Sequence, residues 1–552
     1  SDRVMEKAPY ILIVDYGSQL TQLIARRIRE QGVFSRVISC SLVEGEVAAY
    51  LGQKDDLLKG VVLSGGPESV SDQNSHSFDK QLFDLNIPIL GICYGMQIIA
   101  EVNGGTVEFG TNREFGRSLV RAHGKSKLLD EIQDFNNDAG HGLLNVWMSH
   151  GDSVTKVPPE FKVIASSADC AIAGIADEKK HVYGLQFHPE ASHTTQGKKI
   201  LERFCKNICK CPSSWTMKEF SRNKITEIKR IVGRDKVLLG LSGGVDSSVV
   251  AKLLDMAIGQ QLICIFVDTG LLRNNEANEV MKTFENSFSG MVKKVDAGLI
   301  FFRKLKGVID PEEKRKIIGA LFVEIFERES KKFTDVTWLA QGTIYPDIIE
   351  SAGVESAGAA KKIKSHHNVG GLPSKLALKL LEPVKSLFKD EVRQLGLELG
   401  LRKDLVNRHP FPGPGLGIRV IGEVVSEKVG ILQKADEILL GLLKTKIIGK
   451  EDVKKGLANE DNIGKSWYEA TAQAFCVFLP LKTVGVKGDD RSYDWVIAIR
   501  IVNSTDFMTA NAARLPFELI ELISSEIINK VSDVSRVVLD ISNKPPATIE
   551  WE

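Results

Sequence analysis

Short, nearly unbroken apolar runs alternate along this chain with stretches whose apolar positions recur at helical spacing. Tyr10–Asp15, Gly60–Ser64 and Ile87–Gly91 read as strands, and Met96–Ala100 opens a helical stretch directly after the third. Strands of this kind separated by helices predict a parallel sheet with helices packed on its faces. The alternation breaks at Lys206–Ser214, a polar, turn-rich segment carrying Pro212, which places a first boundary there. It resumes with strands at Lys236–Leu241, Gln261–Asp268 and Thr337–Gln341 and a helical pattern over Ser247–Met256. The proline- and glycine-rich block Pro410–Gly417 marks the next transition. Beyond about Ile421, helical stretches such as Ile431–Leu443 and Phe517–Ile528 alternate with strands at Val496–Val502 and Arg536–Leu539, predicting a compact α+β domain. The expected organisation is therefore an α/β domain over residues 1–210, a parallel-sheet domain over 211–420 and an α+β domain over 421–552.

Composition narrows the class without deciding it. A chain of 552 residues with 43% hydrophobic residues is an ordinary multidomain globular protein. A formal net charge of +1 offers no electrostatic case for nucleic acid or an anionic membrane as partner. The eight cysteines are irregularly spaced and predict a reducing compartment rather than a disulfide framework. Cys205, Cys209 and Cys211 lack a fourth nearby ligand of the kind a structural zinc site needs. No run of 18 apolar residues and no basic-then-apolar leader occurs, so a cytoplasmic protein is expected.

The first candidate chemistry lies where the strand Lys236–Leu241 gives way to the helical pattern. Ser242, Gly243, Gly244, Val245, Asp246, Ser247 and Ser248 form a glycine loop ahead of a helix N-terminus. Two adjacent glycines let backbone N–H groups close around an anion, and the helix dipole favours negative charge there. Phosphate is the expected ligand, although no Gly-Lys-Ser/Thr follows as a Walker A loop requires. The strand ending at Val267 and Asp268 would bring a nucleoside near its C-terminal end, where open α/β sheets bind ligands.

The second constellation is a Gly-x-Cys-x-Gly turn around Cys93, between a buried strand and a helix. Small flanking residues permit the tight turn of a nucleophile elbow that exposes the sulfur, and a helix N-terminus favours the thiolate. About a hundred residues later another strand runs into His188-Pro189-Glu190. Cys93 as nucleophile, His188 as proton shuttle and Glu190 as its orienting carboxylate form a complete triad.

These two motifs carry a resemblance. The Cys93 elbow with His188 and Glu190 resembles the class I glutamine amidotransferases, and the Ser242–Ser248 loop resembles that of the ATP pyrophosphatases. Three further segments, His409–Gly417, Thr483–Asp494 and Lys544–Glu552, resemble signatures of the GMP synthetase family, so the resemblance covers essentially the whole chain. It implies glutamine, ATP and xanthosine monophosphate as substrates, magnesium accompanying ATP, and a homodimer formed through the C-terminal domain. It further implies that Gly65, Gly66 and Tyr94 offer N–H groups to a tetrahedral oxyanion, and that Gln97 and Asp152 hold glutamine. Asp246 is the expected protein ligand of the metal.

Two more groups of residues follow from the same resemblance. Residues 351–375 are glycine-rich and contain the basic cluster Lys361–Lys364, as expected of a lid. Asp347, Glu350, Lys362 and Lys364, with Lys389 and Asp390 beyond it, are the candidates for closing over the phosphates. Arg315, Asp489, Arg491, Arg536, Lys544, Thr548, Ile549 and Glu550 are the candidates for the purine nucleotide. Arginine suits phosphate as a bidentate donor and lysine as a point charge, and two prolines after Lys544 are expected to hold the terminus extended.

Overall fold

The computed structural model describes residues 6–53, 56–66, 80–123, 125–286, 288–350, 377–505, 507 and 509–552. Those residues divide into two compact units, 6–220 with 345–350, and 221–344 with 377–552.

The first unit is built on a ten-stranded sheet. In chain order the strands are β1 (Tyr10–Asp15), β2 (Phe34–Ser39), β3 (Leu58–Leu63), β4 (Ile89–Ile92), β5 (Thr106–Ala122), β6 (Phe135–Asn136), β7 (Gly142–Lys156), β8 (Lys162–Ser166), β9 (Gly174–Asp177) and β10 (Val182–Leu185). Across the sheet they run β2-β1-β3-β4-β10-β9-β8-β5-β7-β6. From β2 to β10 every pairing is parallel, and β1 and β4 are apolar and almost wholly buried, as strands covered on both faces must be. From β10 outward every pairing is antiparallel. The expected parallel sheet is thus present from β2 to β10, and an antiparallel half extends it. β5 and β7 form a long ribbon in which β7 alternates buried and half-exposed residues. Charged residues such as Glu108, Glu114 and Arg117 interrupt β5, so it has no continuous apolar run to betray it.

The second unit holds a five-stranded parallel sheet of β11 (Lys236–Leu241), β12 (Leu262–Asp268), β13 (Met291–Asp296), β14 (Val336–Ala340) and β15 (Lys379–Leu381). Its order is β13-β12-β11-β14-β15. Successive strands leave β11 first on one side and then on the other, which makes the C-terminal end of β11 a topological switch point. A four-stranded sheet follows, of β16 (Gln473–Lys487), β17 (Asp490–Asn503), β18 (Asn511–Ala512) and β19 (Val534–Asp540), with β17 paired to each of the others. The helices Ser426–Thr445 and Phe517–Lys530 pack with it.

One hydrophobic core runs through both layers of this unit. Leu238, Ile265 and Phe301 of the parallel layer share it with Leu439, Phe478, Ile497 and Ile523 of the C-terminal layer. The Pro410–Gly417 block is not a loose connector here. Leu416 is fully buried and its N–H donates to the Leu271 carbonyl at 2.7 Å. Gly415 sits at φ +61° with that carbonyl only 2.5 Å from where a Cβ would lie, so glycine is required on both counts. Among the described residues no helix is long and apolar enough to cross a membrane.

Candidate functional site

In the first unit, β3, β4 and β10 are adjacent and parallel, with Leu63 beside Gly91 and Leu185 beside Ile92. Their C-terminal ends therefore deliver Ser64–Gly66, Cys93 and the Gln186–Glu190 segment to one edge of the sheet. Cys93 has φ +54°, a left-handed conformation that a side chain adopts only under constraint. Its neighbours make the turn possible. A Cβ on Gly95 would lie 2.3 Å from the Leu63 carbonyl oxygen, and one on Gly91 would lie 2.5 Å from the backbone of Gly95.

The triad residues meet. His188 Nδ1 is 2.7 Å from Glu190 Oε1, and Cys93 stands beside the imidazole. All three residues are buried, which corrects the expectation of an exposed sulfur. Burial works against a charged imidazole, but the Glu190 carboxylate and the Cys93 sulfur outweigh it and hold His188 well above the usual histidine range, at about 10. A buried carboxylate next to the ring fixes its orientation and favours the imidazolium. Gly65 lines the same site, since a Cβ there would stand 3.6 Å from Cys93 Cβ and 3.3 Å from His188 Cε1.

Two further residues touch the sulfur. The Cys93 thiol donates to the Ser149 carbonyl at 3.3 Å, and Gln186 Nε2 donates to Cys93 Sγ at 3.5 Å. Gln186 precedes His188 by two positions, the spacing that puts extended-chain residues on one face, so the signal was present. Gln97 and Asp152 are brought together as expected, though through the backbone: Gln97 Nε2 donates to the Asp152 carbonyl at 3.0 Å. Asp152 is buried within β7. Tyr94, at the first turn of the helix Tyr94–Val102, packs against Tyr16 with ring centroids 5.3 Å apart.

In the second unit the glycine loop caps β11 at the switch point, and the helix Val245–Ile258 follows. Gly243 takes φ +81°. The serine hydroxyls are used within the loop: Ser242 and Ser247 hydroxyls lie 3.0 Å apart, Ser242 Oγ accepts from Gly244 N–H at 3.2 Å, and Ser248 donates to the Gly244 carbonyl at 2.8 Å. Lys389 Nζ donates to Asp246 Oδ1 at 2.8 Å, joining two candidates 143 positions apart in the chain. Asp390 adjoins Lys389 on the helix Lys389–Glu398. Val267 is buried, and Asp268 borders a cavity of about 260 Å³ shared with Gly270, Arg273, Glu276 and Lys294. Asp347 and Glu350 lie on the helical stretch 345–350, which groups with the first unit. Lys362 and Lys364, with the rest of the expected lid over 351–375, lie outside the described residues.

The C-terminal candidates separate into distinct environments. Arg315 Nη2 donates to the Glu552 carbonyl at 2.8 Å, and the neighbouring Lys314 reaches the Glu552 carboxylate at 2.8 Å. Glu550 forms a two-pronged pair with buried Arg419 at 2.7 and 3.2 Å. Ile549 is a core residue packed with Phe475 and Val477. Lys544 donates to the Phe507 carbonyl at 2.7 Å. The terminus is not extended as expected: Lys544–Pro545 and Pro545–Pro546 are cis and the chain turns there. Buried Arg500 holds that turn by donating to the Thr548 and Ile549 carbonyls. Arg536 lies within β19 and is exposed, as are Thr548 and, at the tip of the β16–β17 hairpin, Asp489 and Arg491. Neither Arg419 nor Arg500 was legible beforehand, because each is identified only by the distant carbonyls and carboxylates it serves.

Family models match three stretches: class-I glutamine amidotransferase over residues 12–208, NAD synthase over 216–302, and the GMP synthase C-terminal domain over 461–551. The glutamine-hydrolysing GMP synthase of Bordetella bronchiseptica is 53% identical over 542 residues, covering 98% of this chain and 99% of that protein. Its counterpart in Paraburkholderia phytofirmans is 54% identical with the same coverage, and that of Cellvibrio japonicus is 52% identical over 99% of both chains. With more than half of the positions identical over nearly the whole length, the chain belongs to the family of glutamine-hydrolysing GMP synthases.

Proposed function

We propose that this chain makes GMP from xanthosine monophosphate, taking nitrogen from glutamine and driving force from ATP. The observation that carries the reading is the pairing of the Cys93–His188–Glu190 geometry with full-length similarity to enzymes of that name. Cys93 attacks the glutamine amide to give a γ-glutamyl thioester, and His188 gives its proton to the departing ammonia. His188 then activates water to release glutamate. Backbone N–H groups of Gly65, Gly66 and Tyr94 are assigned to the oxyanion, a role whose removal typically costs about 3–4 kcal/mol. Gln97 and Asp152 are assigned to binding glutamine.

In the second unit, the loop from Ser242 to Ser248 is assigned to the ATP phosphates, and Val267 and Asp268 to the adenosine. The 2-oxygen of xanthosine monophosphate attacks the α-phosphorus and pyrophosphate leaves. Ammonia then displaces AMP. Lys389 is suited to balance polyphosphate charge, and Asp390, Asp347, Glu350, Lys362 and Lys364 are the proposed closing set. Arg315, Arg536, Lys544 and Thr548 are assigned to the nucleotide's phosphate and ribose, with Asp489 and Arg491 contributed across a dimer. Ile549 and Glu550 support that site from behind, given their packing and the Arg419 pair.

Magnesium fits the residues present. It usually binds through one or two carboxylates plus phosphate oxygens, keeping several waters. Asp246 is a partly exposed carboxylate on the glycine loop whose Oδ1 accepts from Lys389, leaving Oδ2 for a cation. When bound there it would neutralise charge on the leaving pyrophosphate.

A homodimer is supported by apolar side chains left exposed on the C-terminal sheet: Val484, Val486 and Tyr493 on the hairpin, and Val538 and Leu539 on β19. The eight free thiols favour a cytoplasmic setting. Radiolabelled ATP tests the whole reading. AMP and pyrophosphate should form only when xanthosine monophosphate is present, and ADP as product would sink it.

A further inference from the structure

Arg408 stands just ahead of the Pro410–Gly417 block, with its guanidinium only 18% exposed. Nη1 donates to the Gly243 carbonyl at 3.1 Å and to Glu276 Oε1 at 3.3 Å, while Nη2 lies 3.5 Å from Glu279. The Gly243 carbonyl belongs to the same peptide as the Gly244 N–H, which donates to Ser242 Oγ. That peptide joins two glycines, the linkage least restrained by side chains, and Gly243 holds φ +81°. It is therefore gripped at its oxygen by a cation and at its N–H by a hydroxyl. Glu276, at the N-terminus of the helix Glu276–Glu285, places a buried carboxylate under the loop, 3.7 Å from the position a Gly243 Cβ would take. Its other oxygen accepts from the Arg273 N–H at 3.1 Å. Burial pushes the Glu276 carboxyl up, and Arg408 and Arg273 draw it back toward ionisation.

We propose that Arg408 is a positioning residue for the polyphosphate: it locks the Gly243–Gly244 peptide and cancels the Glu276 charge beneath it. This rests on the reading of the Ser242–Ser248 loop as the ATP phosphate site. An anion cradle made of backbone N–H groups works only if its peptide planes are held before the anion arrives. It also fails if an uncompensated carboxylate lies behind it. Arginine suits both tasks because its planar fork serves a carbonyl and a carboxylate together.

Kinetics with ammonium as nitrogen donor test this. Arg408→Ala should raise the KM for ATP about tenfold or more, the size expected for losing a charged hydrogen bond and leaving a buried charge. The KM for xanthosine monophosphate and the basal glutaminase rate should stay within about twofold. Arg408→Lys should recover only part of the loss, and Arg408→Ala with Glu276→Gln should recover the electrostatic share. Glu276→Gln alone should lower the KM for ATP. If Arg408→Ala does not fold, Glu276→Gln carries the test, and an unchanged KM for ATP there overturns the proposal. Gly243→Val separates the two readings. If it leaves the KM for ATP unmoved, the loop reading itself fails. If it raises that KM while Arg408→Ala does not, the loop reading stands and the role of Arg408 falls.

Discussion

Cys93 shows how much a single position asks of its neighbours. Its left-handed backbone is tolerable because Gly91 and Gly95 clear the turn, while β4 on one side and the first turn of the following helix on the other hold it in place. On the proposed reading the thiol belongs to glutamine chemistry alone, since the glycine loop lies in the other unit. Cys93→Ala should therefore abolish synthesis from glutamine and spare synthesis from added ammonium. Loss of the ammonium reaction in a folded variant would contradict the assignment. His188 supplies a second test. Its folded-state pKa is raised, so the stability from its pairing is fully present below its ordinary value of 6.5 and is lost as pH rises through about 10. Glu190→Gln removes the main source of that pairing. The difference in urea midpoint between wild type and Glu190→Gln should be largest at about pH 6.5 and shrink toward pH 10. A difference independent of pH would mean the carboxylate does not hold the imidazolium.

At the scale of elements, the glycine loop and the C-terminal turn should fail in different ways. The loop leads into a fourteen-residue helix at a switch point, and on the proposed reading Asp246 faces charge that changes during reaction. The terminus is a turn fixed by Arg500 and Arg419, and on the proposed reading it serves a phosphate that stays intact through turnover. Asp246→Ala should lower kcat with either nitrogen donor. Lys544→Ala should chiefly raise the KM for xanthosine monophosphate, because uniform binding is lost rather than transition-state stabilisation. Steady-state kinetics with ammonium distinguish them, and an unchanged KM in Lys544→Ala would remove the terminus from the nucleotide site.

For the whole molecule the question is how two chemistries share one product, ammonia. Ammonia released before an adenylated acceptor exists is wasted, so ATP and xanthosine monophosphate should favour the glutaminase-competent state. That requires each to bind that state more tightly. Glutamine hydrolysis should rise when both are added, and a rate indifferent to them would refute the coupling. The apolar side chains exposed on the C-terminal sheet predict a sedimentation mass near twice 60.8 kDa. A monomer at working concentration would remove that half of the claim.

Elements whose signal is local were legible in the chain itself. The parallel strands β1, β4, β11 and β12 announce themselves by apolar runs, because a strand buried on both faces must be apolar throughout. The cysteine elbow and the glycine loop announce themselves because a tight turn beside a helix needs small residues at fixed offsets. The ribbon of β5 and β7 was not legible, since a half-buried strand interrupted by charge has neither a run nor a clean alternation to display. Gln186 sat in view beside His188, but only the register of β4 against β10 brings its amide to the sulfur. Arg408, Arg419 and Arg500 lie beyond any reading of the chain alone. Their roles are set by carbonyls and carboxylates that are tens to hundreds of residues away in sequence, and only folding brings a guanidinium to them. The sequence by itself determined the chemistry available and the ends of strands that carry it. The tertiary structure decided which buried charges hold that chemistry in position, because such partnerships depend on distance through space and leave no period along the chain.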